Sequence, residues 1–145
     1  MIRNPEIQFA SADAIAAFQQ EYLREEIAYL YENSPYYRRM FDHCGARPDD
    51  IRTQEDLRRL PVTTKTDLQL HPQDFICVPR SRIIDYVTTS GTLGDPVTFA
   101  LTEEDLDRLA YNEAESFTTA GCTPEDVLQL MTTIDRRFMA GLAYF

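Results

Sequence analysis

The sequence predicts an α/β fold: a helical N-terminal region over about residues 1–80, then a β-hairpin and βα units over about residues 81–145. Three observations carry this. Apolar residues recur at helical spacing through 11–32. Two short β-prone runs, one of Ile83, Ile84, Tyr86 and Val87 and one from Val97 to Leu101, flank a loop of glycines and hydroxyls. Beyond them a capped helical segment precedes an apolar run and another helical segment, the order ββαβα.

The first helix is expected over 11–32, capped by Ser11 or Asp13, with Ile15, Phe18, Tyr22, Ile27 and Leu30 on its apolar side. Ser34-Pro35 reads as an N-cap followed by proline in the first turn. The short helix it opens carries Tyr36, Tyr37, Met40 and Phe41 and ends near Gly45. That aromatic cluster suits an aryl pocket or a core, and core packing is expected. Thr53-Gln54-Glu55-Asp56 and Thr64-Lys65-Thr66-Asp67 read as capped starts of single-turn helices, anchored by Leu57, Leu60 and Leu68. Thr102-Glu103-Glu104-Asp105 opens a longer helix with Leu106, Leu109, Ala110, Ala114 and Phe117 as its buried stripe and Gly121 at its end. Val127 to Met131 resembles a fully buried parallel strand. A last helix is expected from near Asp135, carrying Phe138, Met139, Leu142, Tyr144 and Phe145.

The 145 residues suffice for a modest domain with a real core. Fourteen basic against 24 acidic residues give a formal charge of −10, which disfavours nucleic acid or an anionic membrane as the partner. Cys44, Cys77 and Cys122 are widely separated, and His43 and His71 are the only histidines, so no metal site is expected. An odd cysteine count without disulfide spacing, and an N-terminus without an apolar signal core, fit the cytoplasm. No run approaches the roughly 18 apolar residues of a membrane span.

The loop Thr88-Thr89-Ser90-Gly91-Thr92-Leu93-Gly94-Asp95-Pro96 is too long for a two-residue turn. Its glycines let backbone N–H groups turn inward, and its hydroxyls add donors. Such a concavity suits an anion, most commonly a phosphate. It is not a Walker A loop, because Gly94 is followed by Asp95-Pro96 and no lysine lies within it. An ordinary Gly/Thr-rich β-loop is the plainer alternative.

Thr-Thr-Ser-Gly-Thr-Leu-Gly-Asp-Pro at 88–96 resembles the phosphate loop of the adenylate-forming acyl-CoA synthetase superfamily. Asn33-Ser34-Pro35-Tyr36-Tyr37-Arg38, Leu60-Pro61-Val62-Thr63-Thr64-Lys65-Thr66-Asp67-Leu68 and Phe75-Ile76-Cys77-Val78-Pro79 are similar to segments of its phenylacetate-CoA ligase branch, in the same order. The resemblance implies the N-terminal portion of the large adenylation domain, with the C-terminal domain absent. It implies a carboxylate–CoA ligase of phenylacetate catabolism that forms an acyl-adenylate from ATP and then passes the acyl group to CoA. The expected ligands are a small-molecule carboxylic acid, ATP with Mg2+, and CoA, in a homo-oligomer. By residue match, Thr89, Ser90, Gly91, Thr92 and Gly94 would contact the ATP phosphates, and Phe138, Met139 and Gly141 would line the acyl pocket.

No catalytic residue and no metal ligand is assignable, since the adenine segment, the ribose aspartate, the acidic magnesium ligand and the family's lysine would lie beyond residue 145. Lys65 is therefore expected to be an exposed lysine at a helix start. Residues 1–145 are expected to be a fragment that is inactive alone. Leu93 departs from the usual second threonine, and Val97 stands where many superfamily members carry lysine. Arg136 and Arg137 suit a more polar acid or a surface, so the acid is not fixed. An acyl-protein synthetase, or a non-catalytic interaction domain derived from this fold, are the alternatives.

Overall fold

A computed structural model describes residues 4–89, 95–129 and 131. The chain divides into two compact units, Glu6–Val78 and a second that takes up the chain from Pro79.

The first unit is built on two helices joined without a loop. Helix α1, Ala12–Asn33, starts at Ser11, whose Oγ accepts the Ala14 N–H at 3.3 Å. It stops where Pro35 forces Ser34 out of the helical region, to φ −99° and ψ 115°. Helix α2, Pro35–Cys44, begins there, with Ser34 Oγ accepting the Tyr37 N–H at 3.3 Å. The same hydroxyl donates to the Asp74 carbonyl at 2.8 Å, so this fully buried serine spends both of its capacities. Gly45 ends α2 at φ +68°, a left-handed position that suits glycine.

Ile27 of α1, Phe41 of α2, Ala46 and Ile51 form the buried core, with Leu23, Tyr31, Tyr37, Met40 and Leu60 packed around it. Tyr37, Met40 and Phe41 are thus core residues, while Tyr36 stacks on Phe75 at 4.1 Å between ring centroids. Leu60 anchors the turn Asp56–Arg59 as expected. Leu57 does not, and stays exposed. Leu60 leaves the turn in an extended conformation, so the two leucines do not share a face.

Helix α3, Lys65–Leu70, shows how the short elements are held. Thr64 Oγ1 accepts the Asp67 N–H at 3.2 Å, and Asp67 Oδ2 accepts the Thr64 N–H at 2.8 Å and its hydroxyl at 2.6 Å. The same exchange joins Thr53 to Asp56 and Thr102 to Asp105, and Asp126 accepts in the same way from Thr123. Hydrogen bonds from the threonine hydroxyl and the neighbouring amides hold Asp56 and Asp67 below the ordinary carboxylate range. For Asp126 the Thr123 amide leads and the hydroxyl follows.

A depressed folded-state pKa adds stability that is present above the unfolded pKa and lost as pH falls through the folded one. Helix α3 is accordingly expected to hold at neutral pH and to loosen below about pH 4. Amide exchange across Lys65–Leu70, followed from pH 6 to pH 2, checks this. Asp67→Asn should flatten the acid response there, and an unchanged response would refute the role of the cap.

In the second unit a single turn, Arg80–Arg82, precedes strand β1, Asp85–Thr88. The strand begins later than the sequence suggests because that turn takes up the approach to it. Ile84 still donates its N–H to the Leu101 carbonyl at 2.9 Å. Strand β2, Thr98–Leu101, pairs antiparallel with β1: Asp85 faces Leu101, Tyr86 faces Ala100, Val87 faces Phe99 and Thr88 faces Thr98. Helix α4, Glu103–Thr119, follows at once, capped by Thr102, and Arg82 forms an ion pair with Glu104 at 2.7 Å.

Two expectations fail in this unit. The stripe on α4 is only partly covered: Leu106, Leu109 and Phe117 are half-buried, and Ala110 and Ala114 are exposed. Too little of the described chain lies along that face to bury it. Val127 to Gln129 form no strand, and Val127 is 95% exposed. A strand needs a neighbour for its N–H and C=O groups, and the described ladder holds β1 and β2 alone. The last helix expected from near Asp135 lies outside the described residues.

Candidate functional site

The hairpin presents the ends of the glycine–hydroxyl loop. On one face of its ladder Val87 and Leu101 are buried, and Val97 is buried just ahead of β2. On the opposite face Tyr86 is exposed and Thr98 is solvent-facing. This period-two alternation fixes the register, because a one-residue slip would bring Tyr86 and Thr98 inward. The register then sets Thr89 opposite Val97, one step beyond the last strand pair.

Thr89 donates its N–H to the Val97 carbonyl at 3.0 Å, and its Oγ1 accepts the Val97 N–H at 3.0 Å. The two residues that bound the loop are thus tied by two hydrogen bonds, one of them through a side chain. A hydroxyl that accepts still carries a proton to donate, so Thr89 retains chemistry that suits a phosphate oxygen.

Of the residues matched to phosphate contact, Thr89 is half-buried at the mouth of the hairpin, and Ser90, Gly91, Thr92 and Gly94 lie outside the described residues. Phe138, Met139 and Gly141, matched to an acyl pocket, lie outside them too. Lys65 is exposed in the first turn of α3, as expected of a helix-start lysine. His71 Nδ1 stands 3.8 Å from Asp74 Oδ2, a carboxylate already paired with Arg39. No group of three or more His, Cys, Asp or Glu side chains able to hold a metal occurs among the described residues. No described helix is long and apolar enough to cross a membrane.

Tyr36 belongs to a polar edge that sequence reading passed over. Partial burial, and then the Asp67 carboxylate that its hydroxyl meets, raise its pKa. Tyr37 forms the other half of this edge, accepting from the Thr63 hydroxyl at 3.3 Å. The Thr89–Val97 pair was also missed. Its signal was present in the alternation of Val87 and Tyr86, which sets the register that brings the two residues together.

The chain is 39% identical, over 125 residues, to the phenylacetate-coenzyme A ligase of Escherichia coli K12, a match covering 86% of the chain and 29% of that enzyme. It is 38% identical over 125 residues to the phenylacetate-coenzyme A ligase of Thermus thermophilus, covering 86% of the chain and 28% of that enzyme. The chain therefore spans less than a third of the length of these relatives. Among solved structures, 2-hydroxyisobutyryl-CoA ligase in complex with 2-HIB-AMP and CoA, in its thioesterification state, superposes with a TM-score of 0.76 at 32% identity, over 84% of the chain and 27% of the ligase. An open conformation of the same ligase with the same ligands gives a TM-score of 0.75 at 30% identity, over 84% of the chain and 29% of the ligase. No family model matches the chain.

Proposed function

We propose that the chain belongs to the phenylacetate-CoA ligase family, four members of which it matches at 35–39% identity, and that it forms part of an AMP-forming carboxylate–CoA ligase. Both units, the helical one and the hairpin with α4, would be the N-terminal part of one adenylation domain. In the first half-reaction the substrate carboxylate attacks the α-phosphorus of ATP and pyrophosphate leaves. In the second, the CoA thiol takes the acyl group and AMP leaves. In-line phosphoryl chemistry asks the protein chiefly for charge stabilisation on the departing phosphates. The loop from Thr89 through Ser90, Gly91, Thr92 and Gly94 would supply it with backbone N–H and hydroxyl donors.

The sequence match to phenylacetate-CoA ligases carries this reading. The hairpin supports it by holding Thr89 at the loop's edge with a hydroxyl that can donate. Magnesium would offset the phosphate charge, and none of the described residues is assigned to hold it. Phe138, Met139 and Gly141 would border the acid. A cytoplasmic homo-oligomer belongs to the same proposal, and Ile84 and Tyr86 offer exposed apolar surface to an assembly.

The test is an assay of the ligase that carries this chain, with ATP, CoA and a series of aryl and short-chain acids. AMP should form only when an acid is present, with a matching amount of thioester. Release of ADP would overturn the reading.

A further inference from the structure

No residue between 61 and 79 is buried, whereas the core of the same unit is Ile27, Phe41, Ala46 and Ile51. A stretch with so little burial belongs to the part of a fold that opens before the rest. Residues 63–75, which include helix α3, are held by side-chain contacts to one short piece of chain, residues 34–39. At the start of the stretch the Thr63 hydroxyl donates to the Tyr37 hydroxyl at 3.3 Å. At its end the Asp74 carbonyl accepts from the fully buried Ser34 hydroxyl at 2.8 Å, and the Asp74 carboxylate pairs with Arg39. Phe75 stacks on Tyr36 at 4.1 Å and meets Tyr37 edge to face at 5.6 Å between ring centroids.

Tyr36 serves both ends. Its hydroxyl meets the Asp67 carboxylate in the first turn of α3. Its ring lies 6.3 Å from that of His71, just past the end of α3, and the same ring carries Phe75. Loss of one end therefore loosens the anchor of the other, because contacts that share a partner are coupled. Val62, just ahead of the stretch, is 86% exposed and gives the chain a place to turn. We propose that residues 63–75 form a strap that leaves α2 as one cooperative unit, hinged near Val62 and pinned at the Tyr36 ring, while α1 and α2 stay folded. Opening bares the Tyr36 and Tyr37 rings and the Ser34 hydroxyl. The inference goes beyond the ligase reading and does not depend on it, since every residue in it lies within Glu6–Val78.

Amide exchange of the full chain, read residue by residue by NMR, tests the strap. Three amides report on it: Leu68, bonded to the Thr64 carbonyl, His71, bonded to the Asp67 carbonyl, and Asp74, bonded to the His71 carbonyl. Ser34 and Arg38, bonded to the Leu30 and Ser34 carbonyls, report on the helices beneath. Tyr36→Phe removes the hydroxyl and keeps the stacked ring. Exchange should speed about tenfold at all three strap amides and stay unchanged at Ser34 and Arg38. Arg39→Gln acts at the far end, on an exposed ion pair. It should speed the same three amides by one common factor, about two- to fivefold.

Faster exchange confined to Leu68 and His71 in Tyr36→Phe, or to Asp74 in Arg39→Gln, would show separate local contacts and overturn the proposal. Equal speeding at Ser34 and Arg38 would overturn it too, because the whole unit would then be opening. Unchanged exchange in both variants would show that neither contact pins the strap, with the same consequence.

Discussion

Phe41→Ala is expected to destabilise the helical unit by about 3–5 kcal/mol, the range for truncating a buried aromatic ring. Phe41 is fully buried, and it meets Tyr31 edge to face at 5.8 Å between ring centroids. Its loss removes apolar burial and leaves a cavity among Ile27, Ala46 and Ile51. The ends of α1 and α2 are fixed by Ser34 and Gly45, so the helices have little freedom to close that cavity. A domain of this size has about 5–15 kcal/mol in total, so the variant loses a large share of it. Urea unfolding followed by circular dichroism measures the change. Phe41→Leu, which keeps most of the volume, should cost far less. A difference below about 1 kcal/mol between wild type and Phe41→Ala would show that the site relaxes or that the core lies elsewhere.

Gly91→Val is expected to raise the KM for ATP of the proposed ligase by about tenfold to a hundredfold, with little change in melting temperature. The motive is chemical. A loop that grips phosphate through backbone N–H groups needs the backbone to come close, and a β-branched side chain obstructs that approach at a cost of about 1–3 kcal/mol. The hairpin is held independently by its ladder and by the Thr89–Val97 pair, so folding should survive the change. Steady-state kinetics beside a thermal melt separate the two effects. Unchanged kinetics in a folded variant would remove the phosphate role from this loop.

Local signals proved the most legible in the sequence. Ser11, Ser34, Thr64 and Thr102 were each readable as caps, because a capping hydroxyl acts within three residues of itself. Pro35 and Gly45 bounded α2 for the same reason: each acts on its own backbone. What could not be read this way depends on distant partners. Leu57 and Leu60 look alike in sequence, and the direction in which the chain leaves a turn decides which one packs against the core. Ala110, Ala114 and Val127 have the character of core residues, and their exposure reflects how little of the described chain covers them. The loop was legible as a motif because four segments in order carry the resemblance. The bonded pair Thr89–Val97 was not, since it rests on a hydrogen bond between residues eight apart in sequence.

The buried core of the first unit is drawn from Ile27, Phe41, Ala46 and Ile51, a short span of sequence. Contacts of low sequence separation close cheaply and early. The chain can therefore complete this nucleus during synthesis as soon as Ile51 has left the ribosome. The bonds from Ser34 to the Asp74 carbonyl and from Tyr29 to the Cys77 carbonyl, at 2.8 Å and 3.3 Å, can only form afterwards. They are expected to act as late latches, slowing the opening of a unit that has already collapsed and contributing little to the speed of its collapse.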